Sequence, residues 1–202
     1  MRGVINMKTI TPVSRIAGEI SLPGDKSISH RAAFLGALSK EGIEVSNFSP
    51  GADCESTLNC LEKIGCSVTR KGGVVKVSKA GSFVDPDSVL DAGNSGTTAR
   101  LLCGLVSGQP GLFAVISGDE SLSRRPMGRV VRPLQAMGAR IDGRKCGEGL
   151  PLAVKGTLLA GGKYTPSAAS AQIKTALILA GLSSSGSTTV HEPRQTRDHT
   201  EM

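Results

Sequence analysis

The sequence predicts an α/β (α+β) domain of three successive β-α-β-α-β-β units, with the helices packed together and the sheets outside. Three observations carry that expectation. One order of elements (turn, helix, strand, helix, hairpin) recurs along the chain, which marks internal repetition. The second helix of each of the first two copies ends on a matching marker, Ile64-Gly65-Cys66 and then Met137-Gly138-Ala139, a glycine C-cap leading into a strand. Finally, 39% of the residues are hydrophobic while Trp is absent, Tyr occurs once and Phe four times, so any core must be aliphatic.

The first unit, about residues 21–85, opens with the turn LPGDKS and runs into the helical stretch ISHRAAFLGALS. The strand IEVSNF, the helix DCESTLNCLEKIG and the hairpin CSVTRKGGVVKVS around Gly72-Gly73 follow. Apolar residues recurring at three and four mark the helices, and alternation with β-branched content marks the strands. The second unit, about 86–157, repeats this order. DAGNS leads into GTTARLLCGLVSG, then the strand LFAVISG, the helix RPMGRVVRPLQAMG and a hairpin ending in LPLAVKG. The third, about 158–202, offers a helix within YTPSAASAQIKTALILAGL and the strand STTVHEP, and TRDHTEM is expected to open its second helix. From the repeat period, about 25–40 further residues of this unit are expected beyond the sequence. Residues 1–20 fall outside the repeat and read as an extra strand, or a crossing that belongs with a second domain.

The 202 residues carry a formal net charge of +7, which suits an anionic partner. Nucleic acid is disfavoured, because aromatic residues to stack on make up 2% of the chain and the cations sit singly in Gly/Ser/Thr-rich turns. No apolar run reaches the length of a membrane span and the first residues lack a secretory signal, so a cytoplasmic protein without membrane attachment is expected. Cys54, Cys60, Cys66, Cys103 and Cys146 have no metal or C-x-x-C spacing and are expected to be reduced, with the first three on different faces of a helical stretch. His30, His191 and His199 share no ligand motif, and no metal is assigned.

The unusual residues lie in the loops that open the first helix of each unit. In the first unit, Lys26 and Ser27 start a helix whose free N–H groups already favour an anion. Lys26 adds a point charge, Ser27 a hydrogen bond, and Arg31, one turn on, a guanidinium fork for a carboxylate. A capped surface helix has the same appearance. In the second unit the loop is Asn94-Ser95-Gly96-Thr97-Thr98-Ala99-Arg100, where Gly96 lets a ligand approach backbone N–H groups. The stretch Ser123-Arg124-Arg125-Pro126 then reads as a helix mouth with Pro126 in the first turn. Two arginines there oppose the helix dipole, a conflict that a bound anion would relieve. In the third unit Ser170, Ala171 and Gln172 again sit at a helix start, and Lys174 either joins them or points to solvent. Arg197 falls near the repeat position of Arg125. Parallel helices would bring all of these places together.

Taken in order, LPGDKSISHRA, DAGNSGTTARLL, SRRPMGRVVRPLQAMGA, SAQIKTALILAGL and TRDHTE resemble the successive signatures of 5-enolpyruvylshikimate-3-phosphate synthases, from about Ile20 to the last residue. The resemblance implies an enolpyruvyl transferase-type fold, with two domains of three such units around parallel inner helices. It implies that this chain is the N-terminal portion of a longer protein, with its third repeat truncated and residues 1–20 belonging with the C-terminal domain. The implied reaction transfers the enolpyruvyl group of phosphoenolpyruvate to the 5-hydroxyl of shikimate 3-phosphate and releases phosphate, a step of aromatic amino acid biosynthesis, without metal or organic cofactor. Position by position, Lys26 would touch both substrates and act catalytically. Ser27, Arg31, Ser170, Ala171, Gln172 and Arg197 would bind shikimate 3-phosphate. Asn94, Gly96, Thr97, Arg125 and Gln172 would face phosphoenolpyruvate, with Arg100 in the same wall.

The family's proton-transfer acids lie in its other half, so residues 1–202 alone are expected to be inactive. They would need their own C-terminal half, as a second chain if necessary, and the complete enzyme is expected to be a monomer. Glyphosate, the family's inhibitor, would fit against Gly96, while Leu101, where sensitive members often carry Pro, implies partial tolerance. The related UDP-N-acetylglucosamine enolpyruvyl transferases are a second reading. Their first loop resembles Lys-Asn rather than Lys26-Ser27, and their mobile loop carries a Cys that residues 120–125 lack. A non-catalytic module that binds anionic metabolites is a third.

Overall fold

A computed structural model describes residues 8–202, and its elements follow the repeat. The first unit gives α1 (Lys26–Leu38), β1 (Ile43–Val45), α2 (Ala52–Lys63), β2 (Cys66–Lys71) and β3 (Val74–Lys79). The second gives β4 (Leu90–Asp91), α3 (Gly96–Ser107), β5 (Phe113–Ser117), α4 (Glu120–Ser123) and α5 (Gly128–Ala136). It continues with β6 (Arg140–Gly143), the short turn α6 (Arg144–Gly147) and β7 (Gly149–Lys155). The third gives β8 (Ala160–Tyr164), α7 (Ala171–Gly181) and β9 (Ser185–Val190). The second unit carries the whole β-α-β-α-β-β order, with α4 and α6 added.

Each unit has its own sheet, ordered β1-β3-β2, β4-β5-β7-β6 and β8-β9. β2 and β3 pair antiparallel about Gly72 and Gly73, whose φ angles of 58° and 79° are the left-handed values a two-residue hairpin turn needs. β4 runs parallel to β5 and β8 to β9, each pair joined through a helix as parallel pairing requires. Gly65 and Gly138, at φ 92° and 99°, follow the ends of α2 and α5, which is the expected C-cap marker.

The helices make the interior. α3 buries every residue except Thr97 and Arg100. Its Leu101, Leu102 and Leu105 share one hydrophobic core, aliphatic apart from Phe34 of α1, with Leu58 and Leu61 of α2, Leu134 of α5 and Leu177 of α7. Each leucine buried in this way contributes roughly 1.5–3 kcal/mol. α3 and α7 run in the same direction, since their contacts step from Thr97–Gln172 through Gly104–Ala176 to Gly108–Ala180. Gly104 is required by that approach: a Cβ there would lie 2.2 Å from the Ala176 carbonyl oxygen. α1 and α2 are parallel too, with Lys26 beside Cys54 and His30 beside Thr57.

A polar chain is buried among α1, α2 and α3. His30 is fully buried, and its Nδ1 lies 2.7 Å from the Thr57 hydroxyl. Thr57 Oγ1 is 2.7 Å from Thr98 Oγ1, which in turn reaches Ser95 Oγ at 2.7 Å and the Asp53 carbonyl oxygen at 3.2 Å. Burial pushes the His30 imidazole down to about 4, with Asp53 opposing that shift and Lys26 and Arg31 adding to it.

Local contests explain the departures from expectation. β1 stops at Val45 instead of continuing through Phe48, because Asn47 turns left-handed at φ 54°. α5 begins at Gly128 with Met127 at its N-cap, so Pro126 precedes the helix rather than occupying its first turn. Asp119 caps Leu122 N–H at 2.7 Å and nucleates α4, and Pro126 disfavours helical backbone in the residue before it, which separates α4 from α5. Cys66 opens β2 rather than extending α2. Cys54, Cys60, Cys66 and Cys103 are buried, Cys146 is exposed, and all five are free thiols. TRDHTEM does not open a second helix but closes as one turn, the Asp198 carbonyl accepting from the N–H groups of Glu201 and Met202. Residues 8–20 form no strand, and Ile10, Val13, Ile16 and Ile20 are exposed; residues 1–7 lie outside the described residues. Among the described residues no helix is long and apolar enough to cross a membrane.

Gly104→Ala is expected to destabilise the fold by about 1–3 kcal/mol in urea unfolding, because backbone of α7 cannot yield to the added methyl. Gly18→Ala, where a Cβ meets nothing within 4 Å, serves as the control and changes stability by less than about 0.5 kcal/mol. Acid is expected to weaken the fold through His30. Its folded value of about 4 lies below the ordinary 6.5, so the unfolded chain takes up the proton first. That contribution is complete above pH 6.5 and disappears as the pH falls towards 4, a loss of about 3 kcal/mol that urea midpoints measured across this window would read.

Candidate functional site

The N-terminal ends of α1, α3 and α7 meet at one end of the helix layer. Asp25 caps α1 by accepting from Ile28 N–H at 2.9 Å, and that bond holds its carboxyl below the ordinary range. Ser95 caps α3 by accepting from Thr98 N–H at 3.1 Å. α7 starts at Ala171, and Ser170 before it makes no side-chain cap bond. Such ends leave backbone N–H groups and the positive pole of each helix free for an acceptor.

Among them lies a cleft of about 510 Å³. Ser27 and Arg31 line it from α1, Thr97 from α3, and Ser170, Ala171 and Gln172 from the start of α7. Arg197, with Gln195, Thr196 and His199, lines it from the segment after β9. Arg31 is buried and ties the helices together. Its Nη1 donates to the Ser27 carbonyl at 2.9 Å, its Nη2 to the Ala171 carbonyl at 3.3 Å and its Nε to the Thr200 hydroxyl at 2.9 Å. Burial lowers its proton affinity, yet a guanidinium stays charged in any such setting.

Gln172 joins this cleft to a second group of cations. Its Nε2 donates to Thr97 Oγ1 at 2.9 Å and its Oε1 accepts from Arg100 Nη1 at 3.1 Å. Arg100 also donates to the carbonyls of Gly96 at 3.0 Å and Pro126 at 3.1 Å. Arg125 donates to Asn94 Oδ1 at 2.6 Å, and Asn94 Nδ2 donates to Asp119 at 2.7 Å. A Cβ on Gly96 would come 2.5 Å from Arg100 Nη1 and 3.5 Å from Arg125 Nη1, so the missing side chain is what lets two guanidinium groups close over this turn.

Seven of the sequence-predicted residues, Ser27, Arg31, Thr97, Ser170, Ala171, Gln172 and Arg197, therefore share one cleft. Asn94, Gly96 and Arg125 form the adjoining group around Arg100. Lys26 does not line the cleft. It pairs with Asp53 at 2.9 Å, a hydrogen bond that raises its pKa. The expected conflict of Arg124 and Arg125 with a helix dipole does not arise, since both precede α5, Arg124 pairing with Glu120 and Arg125 with Asn94. Lys174 neither joins the cleft nor reaches solvent; it is buried between Glu192 at 2.8 Å and Glu201 at 2.5 Å. Burial opposes its charge, but the two carboxylates outweigh it and hold its pKa above the ordinary value.

Asp53, Thr196, His199 and Thr200 escaped the sequence reading as members of this region. Asp53 reads as a dipole match in the first turn of α2, and the other three sit inside TRDHTE, where only the arginine drew notice. Among the described residues no cluster of His, Cys, Asp or Glu is arranged to hold a metal ion. What the arrangement can do is bind and orient anions at neighbouring points, with Gln172 between them.

The model of the family EPSP synthase (3-phosphoshikimate 1-carboxyvinyltransferase) matches residues 10–202. A 3-phosphoshikimate 1-carboxyvinyltransferase of Geobacillus kaustophilus is 52% identical over 197 residues, covering 96% of this chain and 46% of that relative. Its counterpart in Bacillus subtilis is 50% identical over 191 residues, covering 94% of this chain and 44% of its own length. A solved EPSP synthase from Acinetobacter baumannii matches with a TM-score of 0.85 at 41% identity, covering 91% of this chain and 42% of that one. The chain spans about half the length of the relatives it matches. On the family match, these identities and the shared fold, the chain belongs to the EPSP synthase family.

Proposed function

We propose that this chain supplies one wall of a site where the enolpyruvyl group of phosphoenolpyruvate is transferred to the 5-hydroxyl of shikimate 3-phosphate, with release of phosphate. The observation that carries this reading is the convergence of three helix N-termini and of Arg31, Arg100 and Arg197 about Gln172, in a member of this family. Ser27, Arg31, Ser170, Ala171, Gln172 and Arg197 hold shikimate 3-phosphate. Asn94, Gly96, Thr97, Arg125 and Gln172 hold phosphoenolpyruvate, with Arg100 behind them. Lys26 leaves Asp53 to touch both substrates.

The chemistry asks for these groups. Two substrates bring two phosphates and two carboxylates into one cleft, and their mutual repulsion must be offset by preorganised cations and helix ends. Holding both reactants also makes the addition effectively intramolecular. Acids for proton transfer come from a C-terminal half like that of the longer relatives, whether in the same or a second chain, and the whole protein is a cytoplasmic two-domain monomer. Within it, residues 1–20 go with the second domain. The reading with UDP-N-acetylglucosamine as acceptor is the weaker one, because Ser27 follows Lys26 and residues 120–125 hold no cysteine.

Phosphate release from phosphoenolpyruvate and shikimate 3-phosphate is measured with residues 1–202, with the C-terminal half of a relative, and with both together. Turnover with both alone is expected; turnover by residues 1–202 unaided, or only with UDP-N-acetylglucosamine, would contradict the proposal. In the active assembly Arg197→Ala is expected to raise the KM for shikimate 3-phosphate by about 10–100-fold, the loss of a charged hydrogen bond. Gly96→Ala instead raises the KM for phosphoenolpyruvate, since its methyl must push Arg100 aside.

A further inference from the structure

His30 is a buried titratable group to which the site as described gives no task. It lies one helical turn after Lys26, and Thr57 lies one turn after Asp53, so each shares a helix face with one member of the Lys26–Asp53 pair. Thr98 follows Thr97 in the first turn of α3. The buried chain His30–Thr57–Thr98 therefore lies just inside Lys26, Asp53 and Thr97, by one turn at the first two and by one residue at the third.

The direction of its protons follows from the acceptors. The Asp53 carbonyl oxygen can only accept, so the Thr98 hydroxyl commits its single proton there or to Ser95 Oγ. The Thr57 hydroxyl then donates to Thr98 Oγ1, and His30 donates to Thr57 from Nδ1. Nε2, buried without a hydrogen-bond partner among the described residues, is left as a bare lone pair. The opposite direction would bury an N–H donor with no acceptor, which native interiors avoid more strongly. The charged groups around the ring are Asp53, Lys26 and Arg31, and none of them bonds to it.

We propose that His30, as the neutral Nδ1–H tautomer, is a positioning residue that holds the first turns of α1, α2 and α3 in register through Thr57 and Thr98, and with them Lys26, Gly96 and Thr97. What those three residues bind rests on the function proposed above; the relay itself does not. Imidazole nitrogen NMR of the chain is expected to give His30 protonated at Nδ1 and bare at Nε2, without titrating between pH 8 and pH 5. His30→Asn keeps an N–H donor near the Nδ1 position and His30→Leu removes it. The Asn variant is expected to keep the backbone amide shifts of Asp53, Gly96 and Thr98, and the Leu variant to move all three while binding shikimate 3-phosphate about tenfold more weakly. Thr57→Val, which cuts the relay in its middle, is expected to move the same amides and serves if the Leu variant does not fold. An Nε2–H tautomer, or amides that respond to Leu and to Val no more than to Asn, would overturn the proposal. A wild-type chain with the expected tautomer and amide pattern that fails to bind shikimate 3-phosphate would instead overturn the ligand reading and leave the relay standing.

Discussion

The site depends on the close parallel packing of α3 against α7. Gly104 lets the two backbones approach at Ala176, and every other residue of α3 except Thr97 and Arg100 is buried. Because the two helices run the same way, that contact fixes their first turns side by side, where Thr97 and Gln172 meet. A helix end is a modest anion site alone, but several aimed at one cleft add their partial charges to those of fixed guanidinium groups. Packing in the core thus sets the electrostatics at the cleft.

The cations are held ready before any ligand arrives. Arg31 and Arg100 bond to backbone carbonyls and neutral side chains, which orient a guanidinium without cancelling its charge. Gln172 does the same for the junction between the two groups, using its amide nitrogen on Thr97 and its amide oxygen on Arg100. Lys26 is the exception, since it is paired with the Asp53 carboxylate at 2.9 Å. Elsewhere Lys174, pinned between Glu192 and Glu201, spends its charge on tying the segment after β9 to α7. Both lysines are thus paired with carboxylates, and burial is what separates them: Lys26 stays exposed at the start of α1, while Lys174 is enclosed.

Much of this was legible in the residues. Glycines that need left-handed backbone marked the β2–β3 turn and the ends of α2 and α5, and helical spacing of apolar residues marked α1, α2, α3 and α7. The cleft itself was legible because its residues stand at equivalent points of the repeat. What stayed hidden depends on partners distant in the chain or on close local contests. Arg31 meets Thr200 from the far end of the sequence, and nothing local to Lys174 announces Glu192 or Glu201. Around Pro126 the capping carboxylate of Asp119 won a separate turn, which moved the start of α5 past the proline. The leading residues 8–20 keep their apolar side chains exposed, and no periodicity in them could have told a strand from a crossing.

The proposed site joins the starts of α1 and α7 to the segment bearing Arg197. The direct measurement is a titration of the chain with shikimate 3-phosphate, followed by its backbone amide resonances. Ser27, Ala171, Gln172 and Arg197 are expected to move together along one saturation curve, and binding is expected to weaken as salt is raised. Perturbation centred away from these residues, or separate curves for Ser27 and Arg197, would contradict the proposed site.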